Sequence, residues 1–105
     1  MFGIFKENEE RYLSWHSANQ NGYVFNHFKG KDAAYNKIHL ATCRTLWREK
    51  DEGARTKVEK ICSDNLDELL KITEEMRQTK GYSYCKICMP EYIVKGEKLA
   101  KYSWR

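Results

Sequence analysis

The strongest periodicity in the chain lies at residues 66–76, where Leu66, Leu69, Leu70, Thr73 and Met76 recur at i, i+3, i+4, i+7 and i+10 of one helical face. Such a stripe predicts an amphipathic helix whose leucines enter the core. Ser63-Asp64-Asn65 supplies N-cap side chains, Asp67 and Glu68 suit the positive end of the helix dipole, and Gly81 closes the segment after Arg77 and Lys80. Upstream the period falls to two. Tyr23-Val24-Phe25-Asn26 and Tyr35-Asn36-Lys37-Ile38-His39-Leu40 are rich in strand formers and flank the turn signal Lys29-Gly30-Lys31-Asp32, which together predict a hairpin. In its second strand Tyr35, Lys37 and His39 share one face, and Ile38 and Leu40 the other.

Weaker patterns fill the rest of the chain. Residues 8–17 predict a short helix with Tyr12 and Trp15 on one side, residues 44–54 a loop or helical turn around Trp47, and residues 55–62 a strand carrying Val58 and Ile61. A final helix is expected from about Glu91. The expected fold is α+β, a short antiparallel sheet with flanking helices. No linker or repeat divides it, so residues 1–105 read as one domain, with a metal-binding core at about 22–90 and a tail at 91–105.

Composition narrows the classes. The longest apolar runs, such as Gly3-Ile4-Phe5 and Tyr92-Ile93-Val94, fall far short of the roughly 18 to 20 residues that span a bilayer, and mean hydropathy is -0.83. No membrane partner is expected. The start Met1-Phe2-Gly3-Ile4-Phe5 runs directly into Lys6-Glu7-Asn8-Glu9-Glu10-Arg11 without a signal-peptide pattern, so a cytoplasmic protein is expected. In that reducing compartment four cysteines favour metal binding over disulfides. A chain of 105 residues buries somewhat over about 60% of its unfolded surface, a modest core that a metal staple would support.

Cys85 and Cys88 have two residues between them, the spacing at which one tight turn presents two thiolates to one ion. His39 and Cys43, with three residues between them, supply a second local pair from a strand end and the turn after it. The expected site is therefore one structural zinc on His39, Cys43, Cys85 and Cys88. Cys62 is the rival fourth ligand, although its place beside Ile61 suits a small buried hydrophobe. A strand and a helix lie in the 41 residues between the pairs, so the ion would tie the ends of that excursion together. His16 and His27 lack partners at ligand spacing and are expected at the surface or in turns. The pairs Glu9-Glu10 and Glu74-Glu75 are expected on solvated faces. A closed four-ligand shell leaves no position for a reactive water, and the chain has no G-x-S-x-G, P-loop or H-E-x-x-H motif, so no enzyme is expected.

Two stretches carry a family resemblance: Tyr35-Asn36-Lys37-Ile38-His39-Leu40-Ala41-Thr42-Cys43, and Gly81-Tyr82-Ser83-Tyr84-Cys85-Lys86-Ile87-Cys88-Met89-Pro90. Over roughly residues 22–90 the chain resembles the Ada-like zinc-binding domains, in which a tyrosine and histidine followed by a cysteine meet a Cys-x-x-Cys-x-Pro knuckle. The resemblance implies a small sheet flanked by helices with zinc at one end. The Ada domain itself has four cysteines, one of which accepts a methyl group from DNA. His39 in the first slot implies instead a structural relative of the kind found as accessory domains on bacterial nucleases, and Tyr84 stands where those relatives carry proline.

The net charge of +4 is unevenly spread: residues 29–60 sum to +4 and residues 81–105 to +3, around an acidic 61–80. Both basic blocks carry the metal ligands. Lys37, Arg44, Arg48, Arg55, Lys57 and Lys86, with Tyr84, are the candidate nucleic-acid contacts, because cations meet phosphates and aromatic faces stack on bases. The expected function is a DNA- or other nucleic-acid-binding module. The alternative is an accessory protein of a bacterial, phage or mobile-element system, docking a protein partner or a second copy through Phe2, Ile4 and Phe5 or the aromatic tail.

Overall fold

The computed structural model describes residues 1–93 and forms a five-stranded sheet in the order β1-β4-β2-β3-β5 with helices on both faces. Strand β1 (Phe2–Phe5) opens the chain, and β2 (Tyr23–His27) and β3 (Lys37–Leu40) form the expected hairpin. Strand β4 (Glu59–Ser63) lies antiparallel between β1 and β2, whereas the two-residue β5 (Ser83–Tyr84) runs parallel to β3. The sheet is therefore mixed. Parallel pairing follows from the helical crossover that separates β4 from β5.

Cross-strand register sorts the side chains into two cores, because directly opposed residues point to the same face. Ile61, Phe25 and Ile38 are aligned across β4, β2 and β3, and all three are fully buried with Leu69 and Tyr82. Helix α2 (Leu66–Arg77) covers this face. Asn65 caps it, its Oδ1 accepting from Glu68 N at 2.9 Å, and Ser63 Oγ donates to Glu68 Oε1 at 2.6 Å. The stripe is narrower than the sequence implies. Leu69 and Thr73 are fully buried and Met76 is exposed, while Arg77, reaching forward to donate from Nε to Gly81 O at 2.6 Å, takes a buried position. A left-handed Gln78 and Gly81 at φ 78° then turn the chain into β5.

The opposite face carries Cys62, Val24 and His39 in one row. Helix α1 (Glu9–Ala18) lies over its β1 side, capped by Asn8, whose Oδ1 accepts from Arg11 N at 3.2 Å. Its fully buried Tyr12 stacks on Trp47 with centroids 5.3 Å apart. Glu9, expected in solvent, is instead the fastener of this layer: its carboxylate accepts from Arg55 N at 2.8 Å, Gly53 N at 3.1 Å and Arg55 Nη1 at 3.1 Å. Arg55 also lies 4.8 Å from the Trp47 ring centre. These contacts draw Arg55–Lys57 into a 3-10 turn, which is why the expected strand over 55–62 begins only at Glu59.

The other departures are local. Residues Arg44–Leu46 and Glu49–Asp51 form two 3-10 turns on either side of Trp47. Tyr35 ends another such turn (Ala33–Tyr35) and is 65% exposed, so it does not join Lys37 and His39 on the strand. Beyond the short turn Pro90–Tyr92, the expected C-terminal helix and its aromatic tail lie outside the described residues. Among the described residues no helix is long and apolar enough to cross a membrane.

Candidate metal centre

Strand β3 ends at Leu40, and the chain turns at once, Cys43 N donating to Leu40 O at 3.0 Å. That turn brings Cys43 back beside His39. On the neighbouring strand, Cys85 N donates to Ile38 O at 3.0 Å, extending the parallel ladder by one residue and setting Cys85 next to the same pair. The knuckle then closes with Met89 N donating to Cys85 O at 3.0 Å, which swings Cys88 inward. The result is a cluster of four. One nitrogen of His39 and the Sγ atoms of Cys43, Cys85 and Cys88 all lie within 4.8 Å of one another.

The geometry fits a tetrahedral ion. Metal–thiolate bonds of about 2.3 Å require sulfur–sulfur edges of about 3.8 Å, and Cys43 Sγ and Cys85 Sγ are 3.9 Å apart. Backbone donors are aimed at the sulfurs: Leu40 N at 3.2 Å from Cys88 Sγ and Ile87 N at 3.4 Å from Cys85 Sγ. Donors of this kind stabilise thiolates and hold ligands in place. Thr45 Oγ1 touches two ligands at once, 3.0 Å from Cys43 Sγ and 3.4 Å from His39 Nδ1.

Protonation states agree with a ligand set. Burial, reinforced by Lys37 and Lys60, pushes His39 down to about 4, so its imidazole is neutral with a free lone pair at pH 7. Burial opposes the Cys85 thiolate, but the N–H groups of Cys88 and Ile87 together with the Cys88 and Cys43 thiols outweigh it, and its thiol titrates below the ordinary value. Cys88 is driven the other way by burial and by the neighbouring sulfurs of Cys43 and Cys85. Several thiolates crowded together repel, and a bound cation removes that repulsion.

Cys62 stands apart from this group. It is fully buried between Gly3 and Val24 in the sheet, burial raises its thiol, and it packs with Phe5, Tyr12 and Leu46 as an apolar residue. His16 is not a plain surface residue, since its ring lies 4.1 Å from that of Trp47, and His27 pairs through Nδ1 with Glu59 Oε1 at 2.9 Å. The two pairs come from the ends of adjacent strands, His39 on β3 with Cys43 in the turn after it, and Cys85 and Cys88 in the knuckle that follows β5. An ion held by all four would therefore tie the end of the two-residue β5, the shortest strand, to the end of β3.

The candidate nucleic-acid residues are not gathered in the same way. Arg44, Lys57 and Lys86 are exposed and Lys37 is half-buried. Arg48 is paired with Asp51 at 2.8 Å, and Arg55 is held by Glu9 with its side chain 10% exposed. Tyr84, 7% exposed, is a core residue stacked on Tyr92 at 5.3 Å, so it offers no face to a base. The aromatic residues that do face solvent are Phe28 and Tyr35, at 54% and 65% exposure, beside Lys29 and Lys31 in the β2–β3 turn. Asn36 clamps that turn. Fully buried, it accepts from Lys29 N at 2.9 Å and donates to Lys29 O at 3.1 Å and Asp32 O at 2.8 Å.

The fold and site define a small α+β domain with a His/Cys cluster that can hold a metal ion. Comparison with protein-family models, curated proteins and solved structures finds no match for the chain.

Proposed function

We propose that His39, Cys43, Cys85 and Cys88 hold one Zn(II) as a structural staple, in a domain that binds nucleic acid. The zinc reading is carried by the convergence of three thiols and one neutral imidazole within 4.8 Å. Three sulfurs and one nitrogen suit a borderline-soft ion with no geometric demand of its own, and a full shell of protein ligands leaves no open position for catalysis. The centre is accordingly read as structural, in keeping with the resemblance to the His-containing Ada-like domains rather than to the methyl-accepting one.

The nucleic-acid reading is supported by the β2–β3 turn more than by the residues singled out from sequence. Exposed Phe28 and Tyr35 alongside Lys29 and Lys31 combine stacking faces with phosphate-seeking cations, which suits a single strand. In fluorescence anisotropy, single-stranded DNA or RNA is expected to bind with log affinity falling linearly against log salt. Phe28→Ala or Tyr35→Ala should each weaken binding roughly 5- to 150-fold, from about 1–3 kcal/mol per stacked base. Undetectable binding, or binding indifferent to salt, sinks this reading. The second reading, protein docking, draws on edge strand β1, where Phe2 and Ile4 are 46% and 45% exposed. A concentration-dependent dimer without nucleic-acid binding would favour it.

A further inference from the structure

On the face of the sheet that carries His39, beyond the ligands, a pocket of about 220 Å³ opens between the strands and the loop of residues 44–58. Its floor is Asn26 and Lys60, directly opposed on β2 and β4. Arg48, Asp51 and Arg55 form the wall, and Phe28 stands at its side.

Lys60 is the unusual element. It is 5% exposed, yet its ammonium has no carboxylate within ion-pair distance among the described residues. Its contacts are Asn26 Oδ1 at 2.5 Å and Val58 O at 3.3 Å, which occupy two of three protons. A buried ammonium without a counter-charge is costly. The nearby carboxylates are already committed, Glu9 to Arg55 and Asp51 to Arg48, whose Nε and Nη2 both meet Asp51 Oδ2, at 2.9 and 2.8 Å. Arg55, another lining residue, has its Nε buried without a hydrogen-bond partner, while its Nη1 and Nη2 meet Glu9 and Arg48 O. Asn26 adds its amide donors, its oxygen being engaged by Lys60. Asp51 is the only carboxylate lining the pocket among the described residues, and it is neutralised by Arg48.

We infer that this pocket is a binding site for a phosphoryl-type oxyanion, held by Lys60 with Asn26, Arg55 and Arg48. The donors come from two strands and the loop around one pocket, and the ammonium and guanidinium groups among them are of the kind that form charge-assisted hydrogen bonds to phosphoryl oxygens. None of the four His/Cys residues lines the pocket, although Thr45, which touches Cys43 and His39, does, and Phe28 is shared with the exposed turn. Lys60 belongs to the pocket alone, so its substitution tests this site apart from the other two.

The test is a melting experiment on the full chain with inorganic phosphate against chloride at matched ionic strength. Phosphate tenfold above its Kd is expected to raise the melting temperature by roughly 5 °C through mass action. Lys60→Met is expected to abolish that shift while melting in chloride at the wild-type temperature or above, because it removes an unpaired buried charge. Arg48→Ala, at the exposed wall, is expected to reduce the shift without unfolding the chain. Competition then identifies the source: displacement by a nucleoside monophosphate alone marks a small phosphomonoester, and displacement by an internal phosphodiester marks a nucleic-acid backbone. No phosphate shift in the wild type, or an equal shift in Lys60→Met, overturns the assignment.

Discussion

Treating the protein with a strong zinc chelator is expected to lower its melting temperature by at least about 20 °C and to abolish the fixed packing of its aromatic residues. Structural zinc sites contribute apparent binding free energies of about 10–16 kcal/mol, comparable to or larger than the whole stability of about 5–15 kcal/mol typical of a domain. A loss of only about 5 kcal/mol already corresponds to a shift of this size in a chain of this length. The fold explains why the loss is not local. β5 is two residues long and is held by Ser83 N and Cys85 N, which donate to Asn36 O and Ile38 O, and it runs directly into the His/Cys cluster. Without the ion the Cys43, Cys85 and Cys88 sulfurs lose their counter-charge. Tyr82 and Tyr84, which close the α2 face of the core, would leave with the strand. Near-ultraviolet circular dichroism before and after chelation reads the packing directly, and readdition of zinc should restore it. An unchanged spectrum and melting curve in metal-free protein would show that the core stands without the staple.

The second large effect separates the four cysteines. Cys85→Ala should abolish zinc binding and melt the chain much as chelation does, because one vacant ligand leaves a buried ion pocket with two thiolates and an imidazole. Cys62→Ala should keep one zinc per chain and cost about 1 to 2 kcal/mol, the price of a small cavity between Gly3 and Val24. Zinc content by elemental analysis, paired with thermal melts, distinguishes the two. A Cys62→Ala protein that loses its metal would reassign the site.

The His/Cys cluster was legible in the sequence because each of its pairs is local. Two residues between Cys85 and Cys88, and three between His39 and Cys43, are spacings a single turn can satisfy, whatever the rest of the fold does. The hairpin and α2 were legible for the same reason, being defined by period and by turn and cap residues over short spans. What the sequence hid depends on distant partners. Strand β1 carries one buried side chain, Phe5, and exists because β4, some sixty residues later, offers an edge. Glu9 looks like half of a solvated acidic pair until Arg55 and Gly53 arrive from across the chain. Tyr84 looks like an exposed knuckle aromatic, but the parallel pairing with β3 points it inward beside Tyr82 and Tyr92. Lys60 sits in a segment whose charge suggests solvent, and only the register with Asn26 reveals that it floors a pocket.

Cobalt substitution tests the central claim most directly, because the spectrum of Co(II) reports both the number and the kind of its ligands. Titration of metal-free protein is predicted to give intense visible bands of tetrahedral Co(II) with thiolate-to-metal charge transfer, saturating at one ion per chain and displaced by one equivalent of zinc. A weak octahedral spectrum, or no saturable binding by a chain that is nonetheless folded, would contradict the account.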